Sequence, residues 1–92
     1  MNNRTDKTLY ERNIVIFFTL EKNDQKINKQ LFINANENET FGNVIKHLKE
    51  KYNWIELIEN ITYLYNNKEI NDFSVQIKNL NITDSSNIII RV

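Results

Sequence analysis

The chain has 92 residues, with 12 Lys and Arg balanced by 12 Asp and Glu, so its formal net charge is zero. The length allows one domain, and the neutral charge argues against nucleic-acid and membrane binders, which normally carry a basic excess. With no cysteine and a single histidine, His47, the composition excludes disulfides, thiol catalysis and a multi-histidine metal site.

The chain also carries no sign of export. No apolar run reaches the length of a membrane span, and the first residues lack the apolar core of a signal peptide. We therefore expect a protein of the cytoplasm or the nucleus. Residues 1–12 are polar, with mixed charge and no periodicity, and they predict a flexible N-terminal tail in front of one domain over residues 13–92.

Two strands are predicted to open the domain. Residues 14–20 and residues 27–35 are rich in β-branched and aromatic side chains, and a polar turn separates them. Antiparallel pairing of Leu20 with Ile27 puts apolar residues on one inner face, and Lys29 is the one charged residue on that face. The outer face then carries Val15, Phe17, Thr19, Gln30, Phe32 and Asn34.

A helix follows, and Thr40 is a good N-cap residue in front of it. Apolar residues recur every three or four positions, which is typical of a helix with one buried side: Phe41, Val44, Ile45, Leu48 and Tyr52. Asn53 is a residue type that ends helices. The apolar spacing continues through Ile55 and Ile58, so a helix that extends past Asn53 is an alternative prediction.

Three further strands complete the predicted domain. Residues 61–65 alternate as a strand, and Asn66 and Asn67 predict a tight turn, because Asn tolerates left-handed backbone angles. Residues 68–70 return as a short strand, and residues 88–92 form the last one after a helical turn within residues 73–80. The predicted order is β-β-α-β-β-β.

In this order the chain resembles a ubiquitin-like β-grasp domain over residues 14–92. Four stretches carry the resemblance: Thr40-Phe41-Gly42-Asn43-Val44, Tyr63-Leu64-Tyr65-Asn66-Asn67-Lys68-Glu69-Ile70, Ile77-Lys78-Asn79-Leu80-Asn81-Ile82 and Ser86-Asn87-Ile88-Ile89-Ile90. The polar tail and the Ile-x-Tyr-x-Tyr strand also resemble the SUMO branch of the family. The resemblance implies an α+β fold, in which a mixed sheet of four to five strands packs on one helix.

The resemblance does not extend to the end of the sequence. Conjugated members of the family end in Gly-Gly, whereas the only glycine here is Gly42 and the sequence stops at Val92. The leading interpretation is a non-catalytic, non-conjugated module that binds protein partners and is a monomer on its own. Two alternatives stay open: a ubiquitin- or SUMO-like modifier whose Gly-Gly tail is missing from this sequence, and a structural docking subunit of a larger complex.

No catalytic chemistry is predicted. The sequence shows no nucleophile with a base and an orienting group, and it has no glycine-rich loop for phosphate. We therefore expect no enzyme activity, no cofactor, no metal ion and no small-molecule substrate. The expected partners are proteins, not nucleic acid or a membrane.

One candidate site lies on the sheet face that points away from the helix. By the resemblance, Leu64, Ile89 and Arg91 occupy exposed positions there, and Lys68 lies beside them after the turn. An apolar centre with a basic rim suits a short helix or apolar loop of a partner. The alternative is that Leu64 and Ile89 are ordinary isolated exposed residues.

The second candidate site is the edge between the second strand and the helix. Val15 and Phe32 are expected to be cross-strand neighbours on the outer face, with Phe17 nearby. In SUMO-like members a partner's apolar strand adds along this edge, and Lys46 and Lys49 would then meet acidic residues that flank the strand. The alternative is that the N-terminal tail covers Phe32.

Overall fold

The structure is a computed structural model that describes residues 13–23 and 25–92 of the chain. The predicted tail, residues 1–12, lies outside the described residues. In the described part of the chain, no helix is both long enough and apolar enough to cross a membrane.

The elements follow the order that the sequence predicts. They are β1 (Asn13–Lys22), β2 (Gln25–Asn36), α1 (Phe41–Lys51), a first 3₁₀ turn (Asn53–Leu57), β3 (Thr62–Tyr65), β4 (Lys68–Glu69), a second 3₁₀ turn (Ile77–Leu80) and β5 (Ser86–Arg91). The β-β-α-β-β-β prediction is therefore confirmed.

The five strands form one mixed sheet in the order β2-β1-β5-β3-β4. β1 and β5 run parallel, and the other neighbouring pairs are antiparallel. The two edges differ greatly, because β4 has 2 residues and β2 has 12. A long edge strand presents unpaired N–H and C=O groups to other chains, so natural proteins either protect such an edge or use it.

The core lies between the inner face of this sheet and α1. Buried and partly exposed residues alternate along β1, as expected of a strand with one face against a core. Phe41, Val44 and Leu48 of α1 are fully buried. They join the inner-face residues Ile14, Ile16, Phe18, Leu31, Ile33, Ile88 and Ile90. The predicted inner faces are confirmed for these residues.

The register of the β1–β2 hairpin is not the predicted one over most of its length. Ile16 lies opposite Ile33 rather than Leu31. Near the turn, Glu21 pairs with Lys26, which does follow the predicted register. The two stretches differ by two residues, so every side chain on the regular part keeps its predicted face while its partner changes.

The cause of the shift is an irregularity in β2. Thr19 pairs with Gln30 and Glu21 pairs with Lys26, so Leu20 alone faces residues 27–29. A bulge of this kind removes its residues from regular alternation. Ile27, which was predicted to lie on the inner face, is 38% exposed, and Lys29 is also exposed. Ile27 is therefore not buried as predicted for the inner face, and Lys29 is an exposed residue of the bulge.

The helix begins as predicted, and it does not continue through Ile55 and Ile58. The Thr40 hydroxyl accepts a hydrogen bond from the Asn43 backbone N–H at 3.2 Å, which confirms the N-cap. α1 ends at Lys51, and the apolar spacing then continues in the first 3₁₀ turn, which buries Ile55. The longer α-helix is not formed, although its apolar residue still reaches the core.

Gly42 lets α1 approach the loop at Phe73 closely. Its backbone N–H donates to the Phe73 carbonyl at 2.8 Å. A Cβ at this position would lie 3.0 Å from that oxygen.

Positive φ angles occur at five Asn residues and one Ser: Asn23, Asn60, Asn66, Asn67, Asn81 and Ser85. The predicted Asn66-Asn67 turn is confirmed, because both φ angles are positive.

Candidate interaction surfaces

The β3–β5 half of the outer sheet face is less apolar at its surface than predicted. Leu64 lies directly opposite Ile89, and Thr62 lies opposite Arg91. Leu64 is only 9% exposed, so its prediction as an exposed position was wrong. Ile89 is partly exposed. A partner on this half would contact little apolar surface of Leu64.

The predicted basic rim of that half is also incomplete. The Arg91 Nε lies 2.7 Å from the Glu21 carboxylate, because the parallel register of β1 and β5 places these two residues side by side. Lys68 pairs with Tyr65, so it shares the face of Tyr65 and not that of Leu64. The prediction that places Lys68 beside Leu64 and Ile89 was therefore wrong.

The β1–β2 half of the outer face carries a larger apolar feature. Phe17 lies directly opposite Phe32, and their ring centroids are 6.4 Å apart. Phe32 is 44% exposed and Phe17 is partly exposed. Val15 lies opposite Asn34 rather than Phe32, which is a consequence of the shifted register. We call Phe17 and Phe32 the aromatic pair.

The lysines predicted to flank this edge lie on the other flank of α1. Lys46 and Lys49 line a shallow depression together with Gly42 and Phe73, which is remote in sequence from β2. Successive residues of an α-helix are about 100° apart around the axis, so Lys49 and Lys51 point about 200° apart. The predicted role of Lys46 and Lys49 at the β2 edge was therefore wrong, and Lys51 takes that position.

Lys51 reaches the edge of β2 at Phe32. Its Nζ donates to the Phe32 carbonyl oxygen at 2.9 Å and lies 3.6 Å from the centroid of the Phe32 ring. A cation over an aromatic face is favourable, by about 0.5–1 kcal/mol at an exposed site. One ammonium thus contacts both the backbone and the side chain of the same edge residue.

Tyr52 reaches the same residue from the start of the first 3₁₀ turn. Its hydroxyl accepts from the Phe32 N–H and donates to the Phe32 carbonyl, each at 3.3 Å. The sequence pattern assigned Tyr52 only to the buried side of the helix. The partly buried ring does pack against the core, but the hydroxyl extends past it to the edge strand.

The charged residues of β2 are all basic and lie near its start. β2 contains Lys26 and Lys29 and no acidic residue. The Lys29 ammonium lies 4.9 Å from the centroid of the Trp54 ring, which brings this side chain toward the 3₁₀ turn. With Lys51, three cations therefore accompany the strand that carries Phe32.

Three titratable groups of the described chain have contacts or surroundings that bear on their charge. His47 is exposed and lies 3.2 Å from Glu39 and 3.4 Å from Glu50. Hydrogen bonds from the Ser74 hydroxyl and backbone N–H hold the pKa of Asp72 below its usual range, and burial raises the pKa of the Tyr63 phenol. Among residues 13–23 and 25–92, no group of three or more His, Cys, Asp or Glu residues is placed to hold a metal ion.

Comparison with known proteins identifies the fold. The chain matches no protein-family model and no curated sequence. It is similar to the solved ubiquitin-like domain of an Arabidopsis thaliana protein, with 22% identity, a TM-score of 0.54, and coverage of 84% of this chain and 76% of that one. It is also similar to the ubiquitin of Caldiarchaeum subterraneum, with 10% identity, a TM-score of 0.60, and coverage of 85% and 92%.

A third similar structure is SUMO-related, and it was solved in work on the molecular mimicry of SUMO that promotes DNA repair. It has 15% identity and a TM-score of 0.61, and the match covers 86% of this chain and 92% of that one. The ubiquitin and SUMO-related structures thus match about equally well, and the comparison does not separate the two branches. The fold is ubiquitin-like.

Proposed function

We propose that this ubiquitin-like chain is a non-catalytic protein-interaction module, which binds an acidic and apolar segment of a partner protein at the aromatic pair. The observation that carries the proposal is the 44% exposure of Phe32, an aromatic residue on a long edge strand. Aromatic residues supply much of the energy of protein interfaces, because they bury a large area at a low cost in side-chain entropy.

Charge selects the kind of partner. Lys51 lies over the Phe32 ring, Lys26 and Lys29 precede Phe32 in the same strand, and β2 itself has no acidic residue. Such a surface favours a segment that carries Asp or Glu beside its apolar side chains, and it disfavours a basic one. The β3–β5 half is the weaker candidate, because Leu64 is buried and Arg91 is already paired with Glu21.

The proposal is tested with short peptides that carry four apolar residues flanked by Asp and Glu. Peptides with Lys at the flanking positions serve as the matched comparison. We expect the acidic peptides to shift the backbone NMR signals of Phe17 and Phe32, and the basic peptides to leave them unchanged.

Variants locate the binding surface. Phe32→Ala is expected to weaken binding of the acidic peptides by about tenfold or more, which corresponds to about 1.4 kcal/mol. Leu57→Ala is the control, because Leu57 is 84% exposed in the first 3₁₀ turn. Binding that is lost in Ile89→Ser and retained in Phe32→Ala would move the site to the β3–β5 half.

A further inference from the structure

β2 is an edge strand whose outward backbone groups are only partly available. Phe32 directs its N–H and C=O away from β1, toward Tyr52 and Lys51. In an antiparallel pair, alternate residues bond to the neighbour, so Gln30 and Asn34 share the outward direction of Phe32. Three consecutive outward positions therefore form the regular part of this edge.

The middle position of the three is occupied. The Tyr52 hydroxyl accepts from the Phe32 N–H and donates to the Phe32 carbonyl, as a residue of a neighbouring strand would do. The Lys51 ammonium donates to the same carbonyl at 2.9 Å. A strand that approached β2 here would have to displace both side chains before it could pair.

We propose that Lys51 and Tyr52 form a clasp that prevents β2 from pairing antiparallel, Phe32 against Phe32, with the β2 strand of a second copy of this chain. The proposal does not depend on the proposed function, because it needs no other partner. Natural proteins commonly protect edge strands with lysines and bulges, and β2 has both, with the bulge at residues 27–29.

A second copy fits the unclasped edge in three respects. Pairing about Phe32 sets Gln30 of one copy opposite Asn34 of the other, and forms about six backbone hydrogen bonds, two for each opposed pair. Directly opposed residues share a face, so the two aromatic pairs would join into one row across the interface. The antiparallel direction also brings the basic start of one β2, with Lys26, near Glu37, which follows the other β2.

The test removes the donors and keeps the packing. In the double variant Lys51→Met and Tyr52→Phe, the aliphatic stem and the ring remain while the ammonium and the hydroxyl are lost. The solution mass is measured by sedimentation equilibrium from about 10 µM to about 1 mM, a range that detects weak dimers. The unchanged chain should stay monomeric, and the mass of the double variant should rise up to about twofold with concentration.

Two further variants make the result specific. Lys49→Met removes one charge from the opposite flank of α1 and should stay monomeric. Adding Asn34→Pro to the double variant removes an outward N–H from the edge and should restore the monomer. If circular dichroism shows that the double variant does not fold, the two single variants are measured in the same way.

The solution masses of these variants distinguish two results that overturn the proposal from one that supports it. A folded double variant that keeps the monomer mass at about 1 mM overturns the proposal. Association that persists after Asn34→Pro also overturns it, because the contact would then not use the β2 backbone. Association of the double variant that Asn34→Pro abolishes supports it.

Discussion

Removal of the Tyr63 hydroxyl should make the protein more stable. Tyr63 is 4% exposed, and its ring packs edge-to-face with Phe41 and Phe73 at centroid distances of 5.6 and 5.9 Å. Within residues 13–23 and 25–92, its hydroxyl has no hydrogen-bond partner. A hydroxyl that loses water without gaining a partner costs about 1–3 kcal/mol. Tyr63→Phe keeps the ring, so we expect it to raise the free energy of unfolding by about 1 kcal/mol.

Urea unfolding measures this change, and the matched control is Tyr65→Phe. The Tyr65 hydroxyl donates to the Asn81 carbonyl and contacts the Ser86 hydroxyl, each at 3.1 Å. Its removal should lower the free energy of unfolding by about 0.5–1.5 kcal/mol. For a domain of this size, an increase of about 1 kcal/mol in Tyr63→Phe corresponds to a rise in Tm of roughly 4–8 °C.

The same phenol gives a dependence on alkaline pH. Burial raises the pKa of Tyr63 above its ordinary value of 10.0. Above about pH 10, the unfolded chain loses this proton while the folded chain keeps it. Stability therefore falls as the pH rises toward the folded pKa, and is unaffected by this group below pH 10. Tyr63→Phe should show a shallower loss of stability in this range than the unchanged chain.

A loss of stability of about 1 kcal/mol in Tyr63→Phe would refute the reasoning. It would mean that the hydroxyl gains more from its surroundings than it loses from dehydration. An equal alkaline slope in the variant and the unchanged chain would separately refute the assignment of that slope to Tyr63.

Three further predictions concern the start of α1 and the loop it contacts. Thr40→Ala should lower the free energy of unfolding by about 1 kcal/mol in urea, because a backbone N–H loses its cap, whereas Thr40→Ser should retain most of it. Gly42→Ala should destabilise by about 0.5–1 kcal/mol although Ala favours helices, because its Cβ would lie 3.0 Å from the Phe73 carbonyl oxygen. A stabilised Gly42→Ala variant would show that the loop moves away freely. The low pKa of Asp72 means that its bonds to Ser74 stabilise the loop above the ordinary value of 3.8 and are lost as the pH falls through the folded pKa. The Ser74 amide NMR signal should accordingly shift only in that acidic range, and should not shift there in Asp72→Asn.

Faces were predictable from the sequence, whereas strand partners were not. Alternation along β1 gives the buried set correctly, because the side-chain period of a strand is two and survives any even shift in register. The partner of each residue depends on the bulge at residues 27–29, which regular alternation does not predict. Lys29 was the one available signal, since a lysine on a predicted inner face indicates that the regular alternation fails there.

For Leu64 the predicted face was right and the predicted exposure was wrong. Its outer-face position follows from alternation with Tyr63, and the pairing of Leu64 with Ile89 agrees with it. Exposure is a different property, because it depends on how much the neighbouring side chains cover. At 9% exposure, Leu64→Ala would mainly report on packing, and Ile89 is the better probe of binding on that half.

A lysine on a helix surface can either serve a partner or protect the fold, and its contacts decide which. Lys49 and Lys51 are the same residue type, and both lie in the last turn of α1. Lys51 donates to a backbone carbonyl of the edge strand, whereas Lys49 lies in the depression beside Phe73. The Lys51 ammonium and the Tyr52 hydroxyl both donate to the Phe32 carbonyl, so Lys51 is one of two side chains that oppose association at the backbone. Its position over the Phe32 ring also makes it a cation of the proposed binding surface. Therefore Lys51→Met should weaken the binding of acidic peptides and, together with Tyr52→Phe, should open the edge, whereas loss of charge at Lys49 should do neither.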